Sequence, residues 1–123
     1  MIEKTIHLLT DKEEAFVSLL VRIGIKQTVA KTLVLFARLK TATSRDIEHG
    51  ADLRQPEVSL AVKYLEGKGW IENRESVTPT KGRPIKIWNL KVPVRNILDA
   101  ISREKQDELK ARIEMIGKVR SFA

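Results

Sequence analysis

The sequence predicts a mainly α-helical fold with one small β-hairpin, a helix-turn-helix within it and a long helix at its C-terminal end. Three observations carry this expectation. Apolar residues recur at helical spacing in successive stretches between residues 10 and 66. Two short segments, 70–77 and 85–90, read as strands on either side of a turn-rich tip. After Pro93 a largely polar stretch, 94–120, keeps a helical character for about 40 Å at 1.5 Å per residue.

Each element has its own signal. Thr10 followed by Glu13 is a capping box, with Asp11, Glu13 and Glu14 at the positive end of the helix dipole. Phe16, Leu19, Leu20 and Ile23 supply the apolar stripe of this first helix, and Gly24 stops it. A second helix, 27–40, is apolar at Val29, Leu33, Val34, Leu35, Phe36 and Ala37. Thr41, Ala42 and Thr43 are β-inclined. Ser44 is expected to cap a brief helix, 45–49, ended by Gly50. Residues 51–54 form a turn. A longer helix, 55–66, has Pro56 in its first turn, where the missing N–H is not needed. Val58, Ala61, Val62 and Leu65 give it a buried face, and Gly67, Lys68 and Gly69 break it. In the second strand Ile85, Ile87 and Asn89 alternate with Lys86, Trp88 and Leu90. Three helices followed by a hairpin is the winged helix arrangement, with the helix-turn-helix at 44–66.

Composition narrows the class. With 42% hydrophobic and 32% charged residues the chain is that of a folded protein, and 5% aromatics means a core of Leu, Ile and Val. There is no cysteine, so a disulfide framework, thiolate zinc sites and a cysteine nucleophile are excluded. No run approaches the roughly 18 apolar residues of a membrane span, and no signal peptide is visible. A cytoplasmic protein with no membrane partner is expected. His7 and His49 are isolated and read as surface or capping histidines, so no metal is expected. No nucleophile or phosphate-binding glycine motif stands out, so neither enzyme activity nor a cofactor is expected.

The charge points to a polyanion. The net charge is +7 and is segregated: residues 22–45 carry +6 and residues 79–92 carry +4, with no acid in either. With Val58, Ala61, Val62 and Leu65 turned inward, the 55–66 helix presents Gln55, Pro56, Ser59, Leu60 and Lys63 on its other side. Gln and Ser can hydrogen-bond base edges, and Lys63 can meet phosphate. Glu57 lies nearby and could accept from a cytosine amino group or repel phosphate. The alternative is an ordinary solvated face. In the hairpin, Lys81, Arg83, Lys86 and Lys91 stand without an acid, and Gly82 allows the tight turn that would offer Arg83 to a minor groove. The alternative there is an edge hairpin made soluble by lysines. Ser44, Arg45 and Arg54 flank the motif helices, and Lys26, Lys31, Arg38 and Lys40 are further candidates for backbone contacts, which position without specifying sequence.

Specific residues carry a family resemblance. Thr43-Ser44-Arg45-Asp46-Ile47, Gln55-Pro56-Glu57-Val58-Ser59 and Leu65-Glu66-Gly67-Lys68-Gly69-Trp70-Ile71-Glu72 resemble winged helix-turn-helix transcription regulators of the MarR and TrmB type. Lys81-Gly82-Arg83-Pro84 is similar to their wing tip. Leu20 to Ile25 and Trp88-Asn89-Leu90 look most like the archaeal TrmB-like branch. The resemblance covers about residues 16–100. It implies a homodimeric regulator that binds double-stranded DNA. The chain departs from the pattern in two places. Glu57 and Leu60 stand where relatives commonly show Thr and Arg, and residues 93–123 are too few for the effector domain that sugar regulators of this type carry. Any effector stays unspecified.

The chain is therefore divided into a DNA-binding winged helix domain, 1–92, and a dimerisation helix, 93–123. In the latter, Val94, Ile97, Leu98 and Ile101 form one apolar patch, and Leu109, Ile113, Ile116 and Val119 or Arg120 another, separated by the wholly polar 102–108. The spacing is not a heptad. A partner subunit is the expected cover; the alternative is a helix folded back on its own domain.

Overall fold

The computed structural model describes residues 7–76 and 85–123. The order of elements is α1 (Asp11–Arg22), α2 (Gln27–Leu39), β1 (Thr41–Thr43), α3 (Ser44–Ala51), α4 (Gln55–Gly67), β2 (Ile71–Ser76), β3 (Ile85–Leu90) and α5 (Val94–Arg120). The chain divides into two compact units, Met1–Val92 and Pro93–Ala123.

In the first unit α2 is the centre. It packs against α1, α3 and α4, and its Val29, Ala30, Leu33, Val34, Leu35 and Phe36 are all buried. A helix covered on several sides needs apolar residues beyond one stripe, which is why Val34 and Leu35 accompany the i, i+4, i+7 set. Thr32 is fully buried too, and its hydroxyl donates to the carbonyl oxygen of Thr28 at 2.8 Å, so this hydroxyl is paired. Lys40 ends the helix with φ 67°, which turns the chain directly into β1.

The sheet has the order β1-β3-β2, antiparallel throughout. Thr41, Ala42 and Thr43 pair with Asn89, Trp88 and Ile87, and β2 runs from Ile71 opposite Leu90 to Ser76 opposite Ile85. Trp88 is buried in β3, flanked across the sheet by buried Ala42. Lys86, two residues earlier on the same side of the strand, is exposed, so that side is covered at Trp88 and open towards the start of β3.

The capping box at the start of α1 is formed: Glu13 N–H donates to Thr10 Oγ1 at 3.1 Å and Thr10 N–H to Glu13 Oε1 at 2.9 Å. The expected cap of α3 is displaced by one residue. Thr43, not Ser44, accepts from Asp46 N–H at 3.1 Å, and Asp46 Oδ2 accepts from Thr43 N–H at 3.0 Å. Gly50 does not stop α3 either; it is buried within the helix, which ends at Asp52 in the left-handed region with φ 54°. The reciprocal Thr–Asp pair satisfies two backbone donors where Ser44 would satisfy one.

The second unit is the single helix α5. Its Ile97 and Ile101 are buried, whereas Leu109, Ile113, Met115, Ile116 and Val119 are exposed. No helix among the described residues is long and apolar enough to cross a membrane.

Candidate nucleic-acid interface

Two short helices and the turn between them build the site. Val58, Ala61, Val62 and Leu65 of α4 are buried, as the periodicity requires, and Ile47 and Ala51 anchor α3 beside them. The turn is held by Leu53 N–H donating to Glu48 O at 3.0 Å, then by Arg54 N–H donating to Glu57 Oε1 at 3.0 Å. Glu57 is half-buried. Its carboxylate sits against the N-terminus of α4, where it caps an unpaired backbone donor and meets the positive end of the helix dipole. Pro56 follows Gln55 in the first turn.

The face of α4 turned away from the core carries Gln55, Pro56, Ser59, Leu60, Lys63 and Tyr64, all exposed. Leu60 keeps 60% of its surface and Tyr64 40%. Tyr64 is not among the residues read from the sequence as outward-facing. The signal was available: it lies four residues after Leu60, one helical turn on. Its ring meets that of Trp70 edge-on, with centroids 6.5 Å apart. The Lys68 ammonium lies 5.6 Å from the Tyr64 ring and 5.9 Å from that of Trp70.

Around this helix Arg45 and Arg54 are exposed, Ser44 is half-buried, and Lys86 is exposed on β3. Lys81, Gly82 and Arg83, read from the sequence as the wing tip, lie outside the described residues. Arg38 proves to be an internal tie rather than a free surface cation. Its Nε donates to Glu13 Oε2 at 3.1 Å and its Nη2 to His7 O at 2.8 Å. Among the described residues no group of three or more His, Asp or Glu side chains could hold a metal ion.

A separate open groove lies between α1 and α2. Phe16, Leu19, Val34 and Ala37 line it, with a volume of about 690 Å³, and a second hollow of about 440 Å³ lies along α1 at Phe16, Leu20 and Ile23.

The arrangement recurs in solved structures. TrmBL2, described as an archaeal chromatin protein with a novel mode of DNA binding, matches over 89% of this chain with a TM-score of 0.65 and 18% identity. The fold is a winged helix-turn-helix. A possible transcriptional regulator from Methanosarcina mazei shares this winged helix over 78% of the chain and 82% of its own length, with a TM-score of 0.57 and 15% identity. A MarR family regulator from Neisseria meningitidis shares it over 88% of the chain and 84% of its own, with a TM-score of 0.51 and 18% identity. The chain spans 39% of the length of TrmBL2. No protein-family model and no curated protein matches the sequence. In winged helix terms α3 and α4 form the helix-turn-helix, and β2 and β3 are the strands of the wing.

Proposed function

We propose that the protein is a sequence-specific double-stranded DNA-binding transcription regulator that acts as a homodimer and not as an enzyme. The observation that carries this reading is the outer face of α4. Gln55, Ser59, Leu60 and Lys63 project together from a helix whose opposite side is locked into the core. A convex, rigid helix with hydrogen-bonding and cationic groups is what a major groove about 12 Å wide admits. Arg45 and Arg54 supply phosphate contacts at its edges, and Lys81, Gly82, Arg83 and Lys86 of the wing supply the neighbouring groove and backbone contacts. The resemblance to regulators supports the same reading. Self-association rests on α5, whose Leu109, Ile113 and Ile116 form an exposed apolar stripe. A two-fold dimer would read half-sites about 10 base pairs apart, or a multiple of that.

The test is a titration of the intact chain with genomic duplex fragments across a range of salt. Log K should fall against log salt by about 0.9 for each phosphate neutralised, and one class of fragments should be retained at the highest salt. Absence of binding to any fragment at low salt overturns the reading. A second reading, a winged helix used as a protein-interaction module, is favoured by one observation, the exposed Leu60 and Tyr64 on the reading face.

A further inference from the structure

The outer face of α4 contains a feature that hydrogen bonding and phosphate contact do not use. Leu60 and Tyr64 stand one turn apart, separated by about 40° around the helix, and form an apolar ridge with Pro56 one turn before them. Both are well exposed. The ridge is not a remnant of the core, since Val58, Ala61, Val62 and Leu65 complete the buried side without it. Two lysines border it. Lys63 lies about 60° to one side of Leu60 and Lys68 about 80° to the other, the latter held over the Tyr64 ring. The nearest carboxylate, Glu57, is drawn into the cap with Arg54. An apolar ridge between cations is complementary to a groove floor carrying methyl groups between two phosphate rails.

We propose, resting on the DNA-binding reading, that Leu60 and Tyr64 determine specificity by contacting the C5-methyl groups of two thymines. Thymine is the one base that offers an apolar group in the major groove. The spacing fits. Four residues of helix rise about 6 Å, close to the ~6.8 Å of two base steps along one strand. With α4 along the groove, the two contacts fall on thymines two steps apart. The ridge projects from a convex helix, so it enters a groove rather than forming one, which favours DNA over an amphipathic peptide as its occupant.

The experiment compares the intact chain on two probes, the alternating duplex poly(dA-dT) and its uracil counterpart poly(dA-dU). These differ by the thymine methyl, and the first places thymines two steps apart on each strand. Wild type should bind the thymine polymer more tightly by about fourfold for each methyl contacted, the worth of burying one such group. Leu60→Ala should reduce that preference by about fourfold, and Leu60→Ala/Tyr64→Ala should bind the two polymers equally. Lys63→Ala should weaken both polymers alike and keep the ratio. A wild-type chain that binds both polymers equally overturns the proposal and leaves DNA binding standing. So does Leu60→Ala with both affinities unchanged, and the ridge then belongs to a protein partner. Failure of wild type on both polymers and on random-sequence duplexes overturns the DNA-binding reading itself. Circular dichroism at the assay temperature should match wild type for every variant, even though Tyr64→Ala gives up the Trp70 contact and melts somewhat earlier, and this excludes misfolding as the cause.

Discussion

Glu13 and Arg38 are joined across 25 residues by a 3.1 Å hydrogen bond from the guanidinium Nε to Oε2, while the other carboxylate oxygen of Glu13 caps α1. One side chain thus fixes the start of α1 and ties it to α2. The pair is partly buried, with side-chain exposures of 28% for Arg38 and 18% for Glu13, so it is less screened than a surface ion pair. Arg38→Ala should lower stability by about 1–3 kcal/mol, since it removes a charge-assisted hydrogen bond to Glu13 and a second bond to the His7 carbonyl. Its effect on DNA affinity should be negligible, in contrast to Lys63→Ala. Denaturant unfolding and duplex titration of the same two variants check both halves.

The cap of α3 gives a second comparison. Thr43 accepts the Asp46 N–H, and Ser44 is the first helical residue. Thr43→Ala should therefore destabilise by about 1 kcal/mol, as the loss of an N-cap does, and Ser44→Ala by much less. If the two substitutions cost the same, the capping assignment is wrong. Asp46→Ala should resemble Thr43→Ala, because it removes the reciprocal half of the box.

Two neighbouring glycines should respond in opposite directions. Gly67 is the last residue of α4, and a Cβ added there meets nothing within 4 Å. Gly67→Ala should stabilise by roughly 0.4–1 kcal/mol, through helix propensity and a less flexible unfolded chain. Gly69 has φ +77°, a conformation that an L side chain disfavours. Gly69→Ala should destabilise by about 1 kcal/mol or more. Thermal melts of the two variants beside wild type decide it.

Most of the fold is legible in the residues because local and tertiary preferences agree. Val58, Ala61, Val62 and Leu65 repeat at helical spacing and are buried; Thr10 and Glu13 form the box that their spacing implies. Leu19 and Ile23 of the expected α1 stripe are exposed while Val17 is buried, and two further departures come where two local signals compete. Thr43 and Ser44 are both good caps, and only the carboxylate three residues after Thr43 decides between them. Gly50 reads as a stop, but tertiary packing buries it and hands termination to Asp52. The interface is less legible for a related reason. Exposure follows from periodicity, which is how Leu60 and Lys63 are found. The roles of Glu57 and Arg38 follow from hydrogen bonds to Arg54 and Glu13, and those partners are set by the fold. Tyr64 could be placed by the same periodicity, one turn after Leu60, but its contact with Trp70 is set by the fold.

The two halves of α5 differ in exposure. Of its two apolar patches, Ile97 and Ile101 are buried, whereas Leu109, Ile113 and Ile116 keep 58%, 59% and 59% of their surface. These three lie within about 60° of one another around the helix, so they form one stripe, and Met115 and Val119 widen it. Exposed apolar residues scattered singly need no explanation, but a continuous stripe marks an interaction surface. Under the homodimer reading this distal stripe is the contact. Ile113→Asp places a charge at its middle and should give a monomer by sedimentation at concentrations where wild type is dimeric. Because Ile113 is exposed, the winged helix itself should keep its helical circular dichroism. Binding to a full two-half-site duplex should weaken strongly, since the second half-site no longer gains from the effective concentration of a linked domain. Binding to a single half-site should be unchanged. A variant that remains dimeric, or a wild-type chain that is monomeric at micromolar concentration, removes α5 as the dimer interface.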